Sequence, residues 1–347
     1  MKRWIGVSAA ALAAMCAMAT LGTAQASSRH WYQVYQANVP GGFFDIAAIS
    51  KTDVWAVGTL FKGSKTVYRP FIRHYDGSGW RIVTIPRATG FTSDWVAASS
   101  PDNVWVGGRN YSSTAITRIY RYDGSHWHRV PLPARYTYLS NPVVLGPNNV
   151  WVFGDSTPAD GNVFHWTGSG WHAYYINAFK FMPQSMVASA ASNVWLAGLM
   201  WVGRKEEAFA YRWNGRAWHS VRSPHPVADV GPSVTAISPS NVWLGWVSRT
   251  YEHALHWDGH RWDPLTVPSN AGADPLNIVP DGKGGYWFGD SAILTGNTWT
   301  GVPAIDVITG GFEQLVRIPG THSFLEPAGV ENFGSSVIKP TIYRFDL

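Results

Sequence analysis

Two tryptophans pose the first chemical question. Trp201 lies in the long polar stretch MWVGRKEEAF (200–209), and Trp246 stands where the matching segments of the chain carry glycine. An indole ring held at a surface stacks on a sugar or anchors a protein partner; the same ring turned inward is packing. Arg204, Arg249 and Glu252 stand beside these tryptophans in equally variable stretches, and Arg109, Tyr111 and Tyr136 occupy comparable stretches earlier in the chain. Asp155 and Asp290 each follow a tryptophan-bearing run as Gly-Asp-Ser, at matching places. There they either cap a turn or face a central opening. These ten residues are the candidate ligand contacts.

Catalytic chemistry is harder to assemble. Beyond residue 26 the glutamates are 206, 207, 252, 313, 326 and 331. Adjacent Glu206 and Glu207 point to opposite sides of any strand, a poor carboxylate pair for glycoside hydrolysis. Asp155 and Asp160 are too sparsely spaced for a calcium loop. His74, His165 and His256 recur at one slot, and His128, His172 and His219 at another, which favours a structural role; His225, His253 and His322 show no metal-ligand spacing. No nucleophile elbow and no phosphate loop is present. The expectation is a protein without catalytic residues, metal or cofactor. The competing expectation is a polysaccharide lyase or hydrolase with scattered acids at a channel mouth.

The ends and the composition narrow the setting. Residues 1–26 read as a secretory signal: basic MKRW, an Ala-rich apolar run, and Ala24-Gln25-Ala26 before the expected cleavage. The run is too short and too rich in alanine for a membrane span. Cys16 is the single cysteine, so the exported chain has no disulfide and is held by packing alone. Removing Lys2 and Arg3 leaves 25 basic against 22 acidic residues, a net +3 with no basic run, which argues against nucleic acid as a partner.

The elements that must position the candidates announce themselves by repetition. YDGSGW (75–80) returns as YDGSHW (122–127), WTGSGW (166–171), WNGRAW (213–218), WDGHRW (257–262) and LTGNTW (294–299). Asp-Gly and its relatives are hairpin turns. A second unit precedes each, centred on Trp55, Trp105, Trp151, Trp195, Trp243 and Trp287. A period of roughly 45 residues made of short strands indicates a β-propeller. One period parses as four strands, with the turn unit joining the third to the fourth. Residues 312–347 supply three strands of a further blade, with Phe324 in the tryptophan slot, and SSRHWYQVYQANV (27–39) supplies its missing fourth. The expectation is an all-β, seven-bladed propeller over residues 27–347, closed by its N-terminal strand; six blades is the alternative.

The stretch NVWVGGRN…YRYDGSHWHRVPLP (103–133) resembles the kelch repeat: a hydrophobic strand ending in Gly-Gly, then Tyr, then Trp after a short turn. The resemblance is degenerate in the other blades. It implies a propeller and says little of function. Among kelch-like enzymes, galactose oxidase needs a cysteine cross-linked to tyrosine beside copper, and no such cysteine exists here. The resulting expectation is an exported monomer that binds an extracellular glycan or, second, a protein, through the face carrying the variable loops.

Overall fold

The computed structural model describes residues 30–347 apart from 63–64, 110–116, 133–138, 141, 155–161, 177–179, 228–229, 249–250, 269–275, 290, 304, 306–313 and 332–337. The segment read as a signal lies outside the described residues. The chain begins with β1 (Tyr32–Gln36) and then builds blade one from β2 (Gly41–Ser50), β3 (Asp53–Lys62), β4 (Lys65–Tyr75) and β5 (Trp80–Val83). Blade two is β6 (Trp95–Ser100), β7 (Asn103–Arg109), β8 (Thr117–Tyr122) and β9 (Trp127–Val130). Blade three is β10 (Val143–Gly146), β11 (Asn149–Phe153), β12 (Val163–Trp166) and β13 (Trp171–Tyr174). Blade four is β14 (Phe181–Ala190), β15 (Asn193–Val202), β16 (Lys205–Trp213) and β17 (Trp218–Val227). Blade five is β18 (Val230–Ser238), β19 (Asn241–Ser248), β20 (Tyr251–Trp257) and β21 (Trp262–Thr266). Blade six is β22 (Ile278–Pro280), β23 (Gly285–Phe288), β24 (Ala292–Thr295) and β25 (Thr298–Gly301). Blade seven is β26 (Val316–Arg317), β27 (Ser323–Glu331) and β28 (Ile338–Asp346), completed by β1. The seven four-stranded antiparallel sheets form the expected seven-bladed propeller.

The seams between blades form the core. Each second-strand tryptophan is clasped by aromatic rings of the next blade. Trp55 meets Tyr122 and Trp127 at 5.8 and 6.0 Å, Trp151 meets Trp213 and Trp218 at 5.3 and 5.5 Å, and Trp195 meets Trp257 and Trp262 at 5.9 and 5.7 Å. These spacings suit edge and tilted ring contacts. The recurrent Asx two residues before the tryptophan has a matching task. Asp53, Asn103, Asn149 and Asn193 each accept the indole N–H, at 2.9 to 3.1 Å. His74 and His165 bond the same oxygens and stack on Trp55 and Trp151 at 4.1 and 4.0 Å. The recurring histidines of the third strand are therefore part of the seam.

Closure departs from the repeat. In blade seven Phe324 pairs with Phe345 as Val54 pairs with Tyr75 in blade one, so the tryptophan slot belongs to Leu325 and not to Phe324. Phe324 turns instead toward Trp287 of blade six, 5.1 Å away. A leucine is too small to fill the last seam. Tyr35 of β1 stacks on Trp80 at 5.1 Å there and accepts a hydrogen bond from Arg73 Nε at 3.0 Å.

Candidate functional site

A propeller presents two faces. Turns between first and second strands, and between third and fourth, lie on the turn face. Connections from second to third strands, and from one blade to the next, lie on the loop face. The five described candidates, Arg109, Trp201, Arg204, Trp246 and Glu252, lie on the loop-face side or at the strand ends that lead to it. Tyr111, Tyr136, Asp155, Arg249 and Asp290 are outside the described residues.

Trp201 is the penultimate residue of β15, opposite Glu206 of β16 across a tight hairpin whose tip carries exposed Arg204. Its backbone N–H donates to Lys180 O at 2.9 Å, which fixes the hairpin edge. Strand alternation puts Trp201 on the same side of the sheet as Leu199, Ala197 and Trp195, the side that packs on blade five. The buried run ends at Leu199, and the Trp201 ring is 45% exposed. Met182, paired with Leu199, and Val202 extend the apolar edge at 42% and 44%. Among the described residues Trp201 is the one exposed tryptophan.

Trp246 is different. It is 1% exposed, packed against Leu199, Ala197, Ala208 and Ala210 of blade four, with His253 stacked on it at 5.0 Å. The matching glycines, Gly58 and Gly108, crowd the first strand so closely that a Cβ would collide with backbone carbonyl oxygens. Opposite Trp246 the first strand instead carries Gly231-Pro232 in its bulge, and three alanines across the seam make room for the ring. The expectation of a ligand-contacting Trp246 is corrected: its ring is core. Glu252 precedes His253 in β20, opposite Val247; alternation puts it on the other side of the sheet, with Ala254 and Trp243 toward blade six, where it is partly buried. The seam of blades four and five thus gathers Trp201 and Arg204 above a floor that includes Trp246. Arg109 stands apart, over blades one and two, its Nε 3.8 Å from Asp94.

Sequence reasoning passed over Asp45, in the run FFDIAAIS. It lines a cavity of about 510 Å³ at the ring's centre, with Val96, Ser140, Gln184, Met186 and Gln314 among its neighbours. Asp45 is 1% exposed, and its two oxygens accept the N–H groups of Ile46 at 2.7 Å and Val96 at 2.8 Å, the latter from blade two. Burial pushes its carboxyl up to about 7 despite those bonds. The available signal was a lone carboxylate in an otherwise apolar strand. A second cavity, about 450 Å³, opens on the turn face between blades one and two, lined by Asp53, His74, Arg81 and Trp127 among others. Its charged groups have partners: Asp53 pairs with His74, Arg81 with Asp76 outside the cavity, and Asp102 accepts the Ser100 hydroxyl.

No protein-family model matches the sequence, and no curated protein matches it. Solved structures do match. The β-propeller domain of the trilobed protease from Pyrococcus furiosus, with an open velcro topology, superposes with a TM-score of 0.59 at 9% identity, covering 88% of this chain and 96% of that one. The likeness is one of fold. A fucose-recognising, six-bladed lectin from Aleuria aurantia gives a TM-score of 0.43 at 13% identity, over 87% of this chain and 96% of that one. An α-L-arabinofuranosidase from Fusarium graminearum gives 0.44 at 10% identity, over 90% and 96%. The kelch resemblance rests on the repeat motif alone.

Proposed function

We propose that this chain is an exported, non-catalytic propeller that binds carbohydrate through its loop face, with Trp201 as the stacking residue. One observation carries the reading. The other described tryptophans are withdrawn wholly or largely into the seams, while Trp201 projects from an extended hairpin with nearly half its surface open. Leaving a large ring in water forgoes the stabilisation of burying it, so an exposed ring beside Arg204 and Glu206 is what a sugar-stacking platform needs. A protein partner would use the same anchor.

The enzyme reading has its own observation: a carboxyl with a pKa near neutrality in a central cavity. Against it, both Asp45 oxygens are held by backbone N–H groups, and the cavity's other described lining residues contain no titratable side chain. Acid–base cleavage of a glycosidic bond needs two proton-handling groups.

The test is a polysaccharide and glycan panel with the wild-type protein and Trp201→Ala. Binding that is lost in the variant supports the reading. Binding unchanged in the variant overturns Trp201's role. New reducing ends or unsaturated products in the same samples would favour the enzyme.

A further inference from the structure

The loop-face rim over blades one and two collects cations from three segments far apart in sequence. The β3–β4 hairpin pairs Lys62 with Lys65 at its tip, and Arg69 follows in β4. The connection from β5 to β6 brings Arg87. The facing ends of β7 and β8 bring Arg109 and Arg118. Backbone contacts draw the three together: Gly90 N–H donates to Tyr68 O at 2.8 Å, and Thr92 N–H donates to Arg109 O at 3.0 Å. The Arg118 guanidinium lies over Gly90, 3.6 Å from where a Cβ would stand.

Against these six cations the three segments hold one carboxylate. Asp94 pairs with Arg109 and accepts the Thr92 hydroxyl at 2.5 Å. Among the described residues Lys62, Lys65, Arg69, Arg87 and Arg118 make no ion pair, and the buried Arg118 Nε has no hydrogen-bond partner. Six cations less one acid give this rim +5, while the chain beyond residue 26 carries only +3, so the remainder is net negative. Like charges gathered this way repel, and a polyanion relieves them. Tyr68, 38% exposed in the middle of the group, offers a ring face beside the charges.

We propose that this rim binds the carboxylate, sulfate or phosphate groups of an acidic polysaccharide. The proposal rests on the reading of the loop face as a carbohydrate-binding surface and specifies the substrate class as anionic. Guanidinium forks match such oxyanions in pairs, and the lysines add point charges along the strand of sugar.

The test uses immobilised polygalacturonate as a carboxylate probe, heparin as a sulfate probe, dextran as a neutral one and duplex DNA as a non-carbohydrate polyanion. The proteins are wild type, the triple variant Lys62→Gln/Lys65→Gln/Arg87→Gln, whose sites are all exposed, and Trp201→Ala. The expected result is binding to polygalacturonate or heparin that weakens with salt, is about tenfold weaker in the triple variant, and exceeds binding to DNA. Retention by Trp201→Ala would leave this inference standing and remove Trp201 from the site. Binding to dextran lost only in Trp201→Ala would overturn the inference and keep the carbohydrate reading. Equal binding to DNA would overturn the carbohydrate class, and binding to none of the probes would overturn this inference, leaving the carbohydrate reading to the wider glycan panel.

Discussion

The two faces of this propeller are made from the same repeat and use their polar groups in opposite ways. On the turn face, Asp76, Asp123, Asn214 and Asp258 each accept two backbone N–H groups of their own hairpin. Those bonds, together with Ser78 and His128, hold the Asp76 and Asp123 carboxyls well below the usual carboxylate range. The glycine after each turns to positive φ and seats on the neighbouring turn, as Gly77 does at φ 91° against Thr52. Even the fourth-strand histidines are occupied, with His128 on Asp123 and His219 on Asn214. The loop face instead carries an exposed indole and five cations without ion partners among the described residues. Side chains that complete the fold are repeated and internally matched; side chains available to a ligand are those the fold leaves over.

The comparison can be broken at its most structural point. Deleting residues 27–36 removes Trp31 from its contact with Trp287 at 5.9 Å, and takes Tyr35 out of the last seam. The ring then opens at one edge. The expected loss is roughly 5 kcal/mol or more by the usual cost of emptying aromatic core sites, read as a lower thermal midpoint; an unchanged midpoint would show that β1 does not hold the ring.

Next comes a direct contrast between faces. Trp151→Ala empties a fully enclosed seam and should cost about 3–5 kcal/mol in urea unfolding, whereas Trp201→Ala should stay within roughly 0.5 kcal/mol. Equal losses would mean that the exposed ring is structural after all.

Asp45 gives the most specific effect, one confined to pH. Its folded pKa, about 7, lies well above the ordinary aspartate value of 3.8. Between those values the folded chain holds a proton that the unfolded chain has released. Stability is therefore fullest at acid pH and falls as pH rises through about 7, by at most on the order of 4 kcal/mol. Asp45→Asn should flatten that slope between pH 4 and 8. A wild-type midpoint that rises over this interval would contradict the assignment.

Much of the architecture was legible because the repeat states it. An Asx-Val-Trp run needs its indole N–H satisfied and its ring covered, and the third-strand histidine and fourth-strand tryptophan do both in register. Phe324 was misplaced by one residue because a strand's two sides differ by a single step, and only pairing with Phe345 shows which side faces which blade. Trp246 could not be sorted from Trp201 by composition. Each interrupts a repeat, and what separates them is a seam with Ala197, Ala208 and Ala210 across from one and solvent across from the other.

By itself the sequence determined the period and the four-strand blade, since these follow from short-range hydrogen bonding and alternation, and it marked the closing strand by leaving the last blade one strand short. Tertiary structure decided which groups are left over. The cationic rim has no counterpart as a basic run, because Lys62, Arg87 and Arg118 are neighbours only after two blades are packed side by side. Asp45 acquires its raised pKa only when the channel wall excludes water. Burial and charge proximity are properties of distances between blades, and no local pattern encodes them.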